Sequence, residues 1–85
     1  MLRVSVISPE QTLFEGEAES VTAPAFDGSL GILSGHAPMV TLLGSGELRL
    51  DGSSLVGARR FTVQGGFLQV ADDHVRIVTE CAAAL

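Results

Sequence analysis

Leu13-Phe14-Glu15-Gly16-Glu17-Ala18-Glu19-Ser20-Val21-Thr22-Ala23 alternates residue by residue. Glu15, Glu17 and Glu19 take one side and Phe14, Gly16 and Ala18 the other, the period of a strand with one wet face and one buried face. After Ser20 the apolar positions change parity, to Val21 and Ala23. A parity change inside an extended segment predicts a bulge or a change of sheet near Glu19-Ser20. The three glutamates at spacing two read as a solvated strand face rather than an acidic site.

The same period runs outward from this segment. Leu2, Val4 and Val6 alternate with Arg3 and Ser5, and Ser8-Pro9-Glu10 makes a turn. Downstream, Asp27-Gly28 is a turn signal, Gly28–Leu33 a short glycine-punctuated strand, and Ser34–Pro38 a loop. Met39–Leu43 reads as a short buried strand, and Gly44-Ser45-Gly46 turns the chain into Glu47–Leu50. Asp51-Gly52 predicts a hairpin returning through Arg59–Gln64, Gly65-Gly66 a bend, and Asp72-Asp73 the turn between Phe67–Ala71 and His74–Thr79. Strands of about five residues at spacings of roughly 8–12 form the sandwich or barrel pattern. Only Glu80–Leu85 has helix-forming composition, and it is too short to be a stable helix alone.

Composition agrees. The 85 residues allow one domain, 46% of them are hydrophobic and only 18% charged, and ten are glycine. Glycine at that density disfavours helices, since each costs up to ~1 kcal/mol in a helix interior. The formal net charge is −5, and the basic residues are Arg3, Arg49, Arg59, Arg60 and Arg76. With one adjacent basic pair and no Trp or Tyr to stack bases, the chain argues against nucleic acid. The acidic balance argues against direct adsorption to anionic lipid. Cys81 is the one cysteine and has no internal disulfide partner, which fits a reducing compartment. No apolar run approaches the ~20 residues of a membrane span, and the first residues lack the apolar core of a signal peptide. A cytosolic protein, or one tethered by a partner, is the expectation.

Candidates for chemistry are sparse. His36, His74 and Cys81 are not at metal-ligand spacing, so no metal site is expected. Gly44-Ser45-Gly46 is not a nucleophile elbow. The chain has no lysine for a phosphate loop and no Gly-x-Gly-x-x-Gly, so no catalytic or nucleotide-binding residue is assigned. Asp72-Asp73-His74 is better explained by a turn than by a metal. One segment is unusual for a loop: Gly28-Ser29-Leu30-Gly31-Ile32-Leu33-Ser34-Gly35-His36-Ala37-Pro38 joins a tight backbone to a histidine and a fixed proline turn. It reads equally as a structural corner with a hydrogen-bonded histidine and as a rigid contact surface for a partner.

That segment resembles the signature of the epsilon subunit of F-type ATP synthases, and other blocks resemble the same family in order. Val6-Ile7-Ser8-Pro9-Glu10 with Leu13–Glu17 is similar to its opening strand and turn. Leu30–Pro38 is similar to its central motif, Phe61–Val70 to its double-glycine strand pair, and His74–Thr79 to its last strand. The resemblance implies a single flattened β-sandwich of about ten strands over residues 1–85. It implies a non-catalytic rotor part without a cofactor, docked on the gamma subunit and the c ring. Such a part would be peripheral on the cytoplasmic face of a bacterial plasma membrane, held there through the complex.

Contacts to gamma would map to Ser8, His36, Thr41 and Gln64, and contacts to the c ring to Asp27, Gly28, Ser29, Leu30 and Gly31. Ser29 stands where the family often has an acidic residue, which weakens a salt bridge to the ring there and leaves Asp27 as the substitute. Ser34 stands where proline is common, which implies a less rigid loop. Family members commonly continue into a two-helix domain that inhibits hydrolysis and in some cases binds ATP. Residues 80–85 fall where it would begin, so no hairpin-mediated inhibition and no bound ATP are expected of this chain. The rival expectation is a free-standing β-sandwich module that binds a small ligand or peptide.

Overall fold

The computed structural model describes residues 2–26, 28–52 and 59–84. Ten strands follow in order: β1 (Leu2–Ile7), β2 (Thr12–Ala18), β3 (Ser20–Ala25), β4 (Gly28–Leu33), β5 (Met39–Leu42), β6 (Ser45–Asp51), β7 (Arg59–Gln64), β8 (Phe67–Ala71), β9 (His74–Val78) and β10 (Cys81–Ala84). They form two five-stranded sheets, β2-β1-β9-β8-β5 and β10-β7-β6-β3-β4, with no helix among the described residues. Within the first sheet β1 pairs antiparallel with β2 and parallel with β9; the other strand pairs in both sheets are antiparallel.

The period-two reading becomes the core. Val4 lies opposite Gly16 and Val75, and Val6 opposite Phe14 and Ile77. These residues face Val21, Ile32, Leu48, Leu50, Phe61 and Val63 of the second sheet across a fully buried layer. Phe14 meets Phe61 edge-on, with ring centroids 6.3 Å apart, and the Arg59 guanidinium lies 5.6 Å from the Phe14 ring centre. This stack closes one margin of the sandwich between β2 and β7.

The parity change at Glu19-Ser20 is a change of sheet. β2 ends at Ala18 in the first sheet and β3 begins at Ser20 in the second. The Glu19 amide donates to the Asp51 carbonyl at 2.7 Å, which ties the corner to the end of β6. Gly52 lets the two segments approach: a Cβ there would lie 2.9 Å from the Glu19 nitrogen.

A second crossing, from β9 to β10, is held by Thr79. Its side chain is buried, and its hydroxyl lies 2.9 Å from the Gly65 carbonyl, 3.0 Å from that of Cys81 and 3.4 Å from that of Gln64. Its amide donates to the Ile7 carbonyl at 2.9 Å. Beside it Gly66, at φ 106°, leaves no room for a side chain, because a Cβ would run into the Val78 carbonyl oxygen. The β7–β8 and β9–β10 crossings therefore pack against each other through backbone.

Two expectations are corrected. Glu80–Leu85, helix-forming by composition, contributes a strand: Cys81–Ala84 pair with Gln64–Phe61 of β7, while Leu85 lies outside the described residues. A helix of that length cannot recover its nucleation cost, whereas the edge of β7 offers a ready row of backbone partners. Met39–Leu43 is not buried throughout. Met39 and Thr41 are half-buried, while Val40 and Leu42 are 68% and 62% exposed. β5 is an edge strand whose outward face is apolar.

Two substitutions at the crossings should be felt. Gly66→Ala is expected to lower stability by about 2 kcal/mol or more, whereas Gly31→Ala, where a Cβ meets nothing within 4 Å, stays within about 0.5 kcal/mol of the parent. Thr79→Val is expected to cost about 1–2 kcal/mol by stranding buried carbonyls. Urea midpoints at unchanged slope measure all three.

Candidate functional site

The β8–β9 turn organises the central motif. Asp72 and Asp73 adopt φ of 50° and 58°, the left-handed pair of a tight two-residue hairpin turn, which aspartate tolerates well. The Asp73 carbonyl accepts from the Arg3 amide at 2.8 Å. Its carboxylate accepts from the Gly35 amide at 2.7 Å and from the Ser34 hydroxyl at 2.8 Å. These two bonds, the Gly35 amide first, hold the Asp73 carboxyl below its ordinary value. Ser34, expected to make this loop less rigid, is thus itself tied down.

His36 follows in the same loop. Its amide donates to the Leu33 carbonyl at 3.1 Å, and its Nδ1 donates to the Ala37 carbonyl at 2.8 Å, which fixes the ring plane. It borders an open depression of about 350 Å³ shared with Gly35, Ala37, Pro38, Asp72 and Asp73. The segment is therefore a corner with a hydrogen-bonded histidine that also presents a shaped surface.

The expected gamma-contact residues are not gathered in one place. His36 lies at the Asp72–Asp73 end of the first sheet. Ser8 and Gln64 lie at the opposite end, on either side of the start of β10, in depressions that share Cys81 and Ala82. The Ser8 amide and hydroxyl both donate to the Gln11 carbonyl, closing the β1–β2 turn. Thr41 lies between these ends on β5, opposite Leu68 and turned toward the core.

The expected ring-contact residues are contiguous. Gly28, Ser29 and Gly31 are exposed along β4, the free edge of the second sheet, opposite Ala25, Pro24 and Thr22. Leu30 is half-buried and packs against the core. Asp27 lies outside the described residues.

Two features were not anticipated. One is the carboxylate clamp of Asp73. Sequence marked that residue as turn chemistry, but its partners are 38 and 39 positions away. The other is an apolar margin. Val40 and Leu42 project from β5, Phe67 lies opposite Leu42 on β8, and the Phe26 amide donates to the Leu42 carbonyl at 3.2 Å. Phe26 is 68% exposed and Phe67 39%. Single exposed apolar residues are ordinary; four in one neighbourhood mark a contact surface. A phenylalanine beside the Asp27-Gly28 turn signal was the one legible hint.

The clamp has a pH dependence. Because the native Asp73 value is depressed, the clamp is complete above about pH 4 and is lost as pH falls through the lower native value. The Gly35 amide resonance should report that titration, and Asp73→Ala should speed Gly35 amide exchange on the order of tenfold.

Comparison with known proteins accords with this geometry. The family described as ATP synthase, delta/epsilon chain, beta-sandwich domain matches residues 1–84. An ATP synthase epsilon chain of Rhodopirellula baltica is 47% identical over 78 residues, which are 92% of this chain and 59% of that one. One of Leptospira borgpetersenii is 45% identical over 83 residues, 96% of this chain and 63% of that one. The chain thus spans about three-fifths of the length of these curated relatives. A chain of the Euglena gracilis mitochondrial ATP synthase, in an OSCP/F1/c-ring structure, superposes with a TM-score of 0.88 at 24% identity, covering 98% of this chain and 52% of its own. A chain of the Tetrahymena thermophila mitochondrial ATP synthase central stalk and c ring superposes with a TM-score of 0.76 at 21% identity, covering 96% and 65%. With residues 1–84 matched, the chain belongs to the ATP synthase delta/epsilon chain family and folds as its β-sandwich domain.

Proposed function

We propose that this chain is a non-catalytic part of the central stalk of an F-type ATP synthase. It docks on the gamma subunit and the c ring, and so helps couple proton translocation to ATP synthesis. In a bacterial cell this puts it at the cytoplasmic face of the plasma membrane, held there through the complex. The observation that carries the reading is the apolar margin of Phe26, Val40, Leu42 and Phe67. It runs from the β3–β4 turn, next to the expected ring contacts, to the β5 edge, which carries the expected gamma contact Thr41. Burying such side chains in a partner contributes roughly 1–2 kcal/mol each, given that they start between 39% and 68% exposed.

The body suits a mechanical part. Its two sheets share one core, and both edges of the apolar margin are anchored by backbone pairing. Gamma then seats along β5 and the loop at His36, and the ring meets the β4 edge. The net charge of −5 would also draw the chain toward a basic partner surface by long-range attraction. The relatives named ATP synthase epsilon chain support the same assignment.

Titration with purified gamma subunit tests it. The parent chain is expected to bind, and Leu42→Ser with Phe67→Ser to weaken binding by at least tenfold without loss of β-sheet signal. His36→Ala is expected to weaken gamma binding, and Gly31→Trp binding to the isolated ring, each with the fold intact. A parent chain that fails to bind gamma and ring, or a double serine variant that binds as the parent does, overturns the reading.

A further inference from the structure

The outer face of the first sheet carries a cation that is unmatched among the described residues. Arg3 lies 3.5 Å from Glu15, Arg49 3.1 Å from Asp51 and Arg60 3.9 Å from Glu47, while Arg59 rests over Phe14. Arg76 alone among the five arginines has neither a carboxylate nor a ring as partner among the described residues. In a chain with ten carboxylates and net charge −5, an unmatched guanidinium in the middle of a sheet is out of pattern.

Its neighbours are suited to receive an oxyanion. Arg76 sits on β9, in register with Ser5 of β1 on one side and Gln69 of β8 on the other. Ser5 and Gln69 are uncharged and can donate hydrogen bonds. His74 lies two residues along on the same face, with its Nε2 3.3 Å from the Ser5 hydroxyl oxygen. Gln69, His74 and Arg76 border an open depression of about 400 Å³, with Asp72 at its turn end beyond His74. The other acid near this row, Glu15, is matched by Arg3. Asp72 lines the same depression as Arg76 and Gln69 but makes no ion pair with the guanidinium, which leaves Arg76 beside Gln69 without a carboxylate partner among the described residues.

The row continues into the apolar margin. Gln69 lies opposite Val40, and the next outward row contains Val78, Phe67 and Leu42 in register. Neighbouring strands are about 4.8 Å apart, so Arg76 lies roughly 10 Å from Val40 across two strands, within reach of one docked segment. Arginine with flanking amide and hydroxyl donors matches the planar, two-oxygen geometry of a carboxylate.

We propose that Arg76 is the charged anchor of the docking face: the partner segment that covers Val40, Leu42 and Phe67 presents a carboxylate, set roughly 10 Å from its apolar contacts, to Arg76 and Gln69. This rests on the docking reading above and adds the chemistry of the partner. It also makes the face selective, since a partner lacking that carboxylate would bury the guanidinium unpaired.

Purified gamma subunit is the probe, titrated at ~50 mM and ~300 mM salt to vary the screening of charge. Arg76→Gln is expected to bind about tenfold more weakly at low salt and to lose most of the salt dependence, with Arg76→Glu weaker still. Leu42→Ser is expected to bind more weakly while keeping the parent's salt dependence. Arg76 is on the outer face, so an unchanged circular dichroism spectrum and thermal midpoint exclude misfolding as the cause. If the parent binds gamma and Arg76→Gln matches it in affinity and salt dependence, the Arg76 assignment is overturned and the docking reading stands. If the parent does not bind gamma at all, both fall.

Discussion

The structure depends on keeping one apolar face inward while the chain passes between sheets. A strand that turned the corner at Glu19 without a parity change would carry its buried residues to the outside. The added residue at the corner restores the phase, and the Glu19 amide bond to Asp51 holds the two sheets at that point. Gly52 makes the approach possible. Every core position from Val21 onward relies on that step, because burial in a sheet is set by a period of two and a slip of one residue reverses it. Thr79 and Gly66 perform the corresponding task at the other end, where backbone meets backbone too closely for a side chain.

The surface features follow from this frame. The turn at Asp72–Asp73 brings a carboxylate to the Ser34–Gly35 corner, and that contact orients the loop bearing His36. The same turn ends the strand pair that carries Gln69 and Arg76. One hairpin thus sets the geometry of two surfaces. β5 and β4, edge strands of different sheets, are joined by the β4–β5 loop, and the bridge between Ala25 at the end of β3 and Leu43 just after β5 ties β5 to the β3–β4 pair. Of the expected contacts, Thr41 on β5 and Gly28 to Gly31 on β4 therefore lie near one margin of paired backbone, whereas Ser8, His36 and Gln64 lie elsewhere. Force applied at one point of that margin is passed along it through paired backbone.

The resemblance-based residues divide along the same lines. Those on a single element, Gly28 to Gly31, stay together because consecutive residues of a strand must. Those on four different elements, Ser8, His36, Thr41 and Gln64, are spread over both ends of the sandwich and its edge. Contact with all four requires a partner that wraps or spans the body, and the apolar strip of Val40, Leu42 and Phe67 lies along the β5 edge.

Much of this was legible beforehand. The alternation of Leu2 to Val6 and of Phe14 to Ala18, the parity change at Ser20, and the turn chemistry at Asp27-Gly28 and Asp72-Asp73 are local properties, and local rules of period and φ preference decide them. Met39-Val40-Thr41-Leu42 was not legible. A run of apolar residues carries no period, so whether it is buried on both faces or lies at an edge depends on what packs beside it. Cys81–Ala84 carried no strand signal for the same reason: four residues have almost no preference of their own, and the vacant edge of β7 chose for them. The reach of Asp73 to Ser34 and the isolation of Arg76 are pairings across 39 residues and across strands. Sequence by itself determined the period, the turns and hence the strands. Only the tertiary structure decided which edges stayed open and which charges went unmatched, because those depend on neighbours distant in the chain.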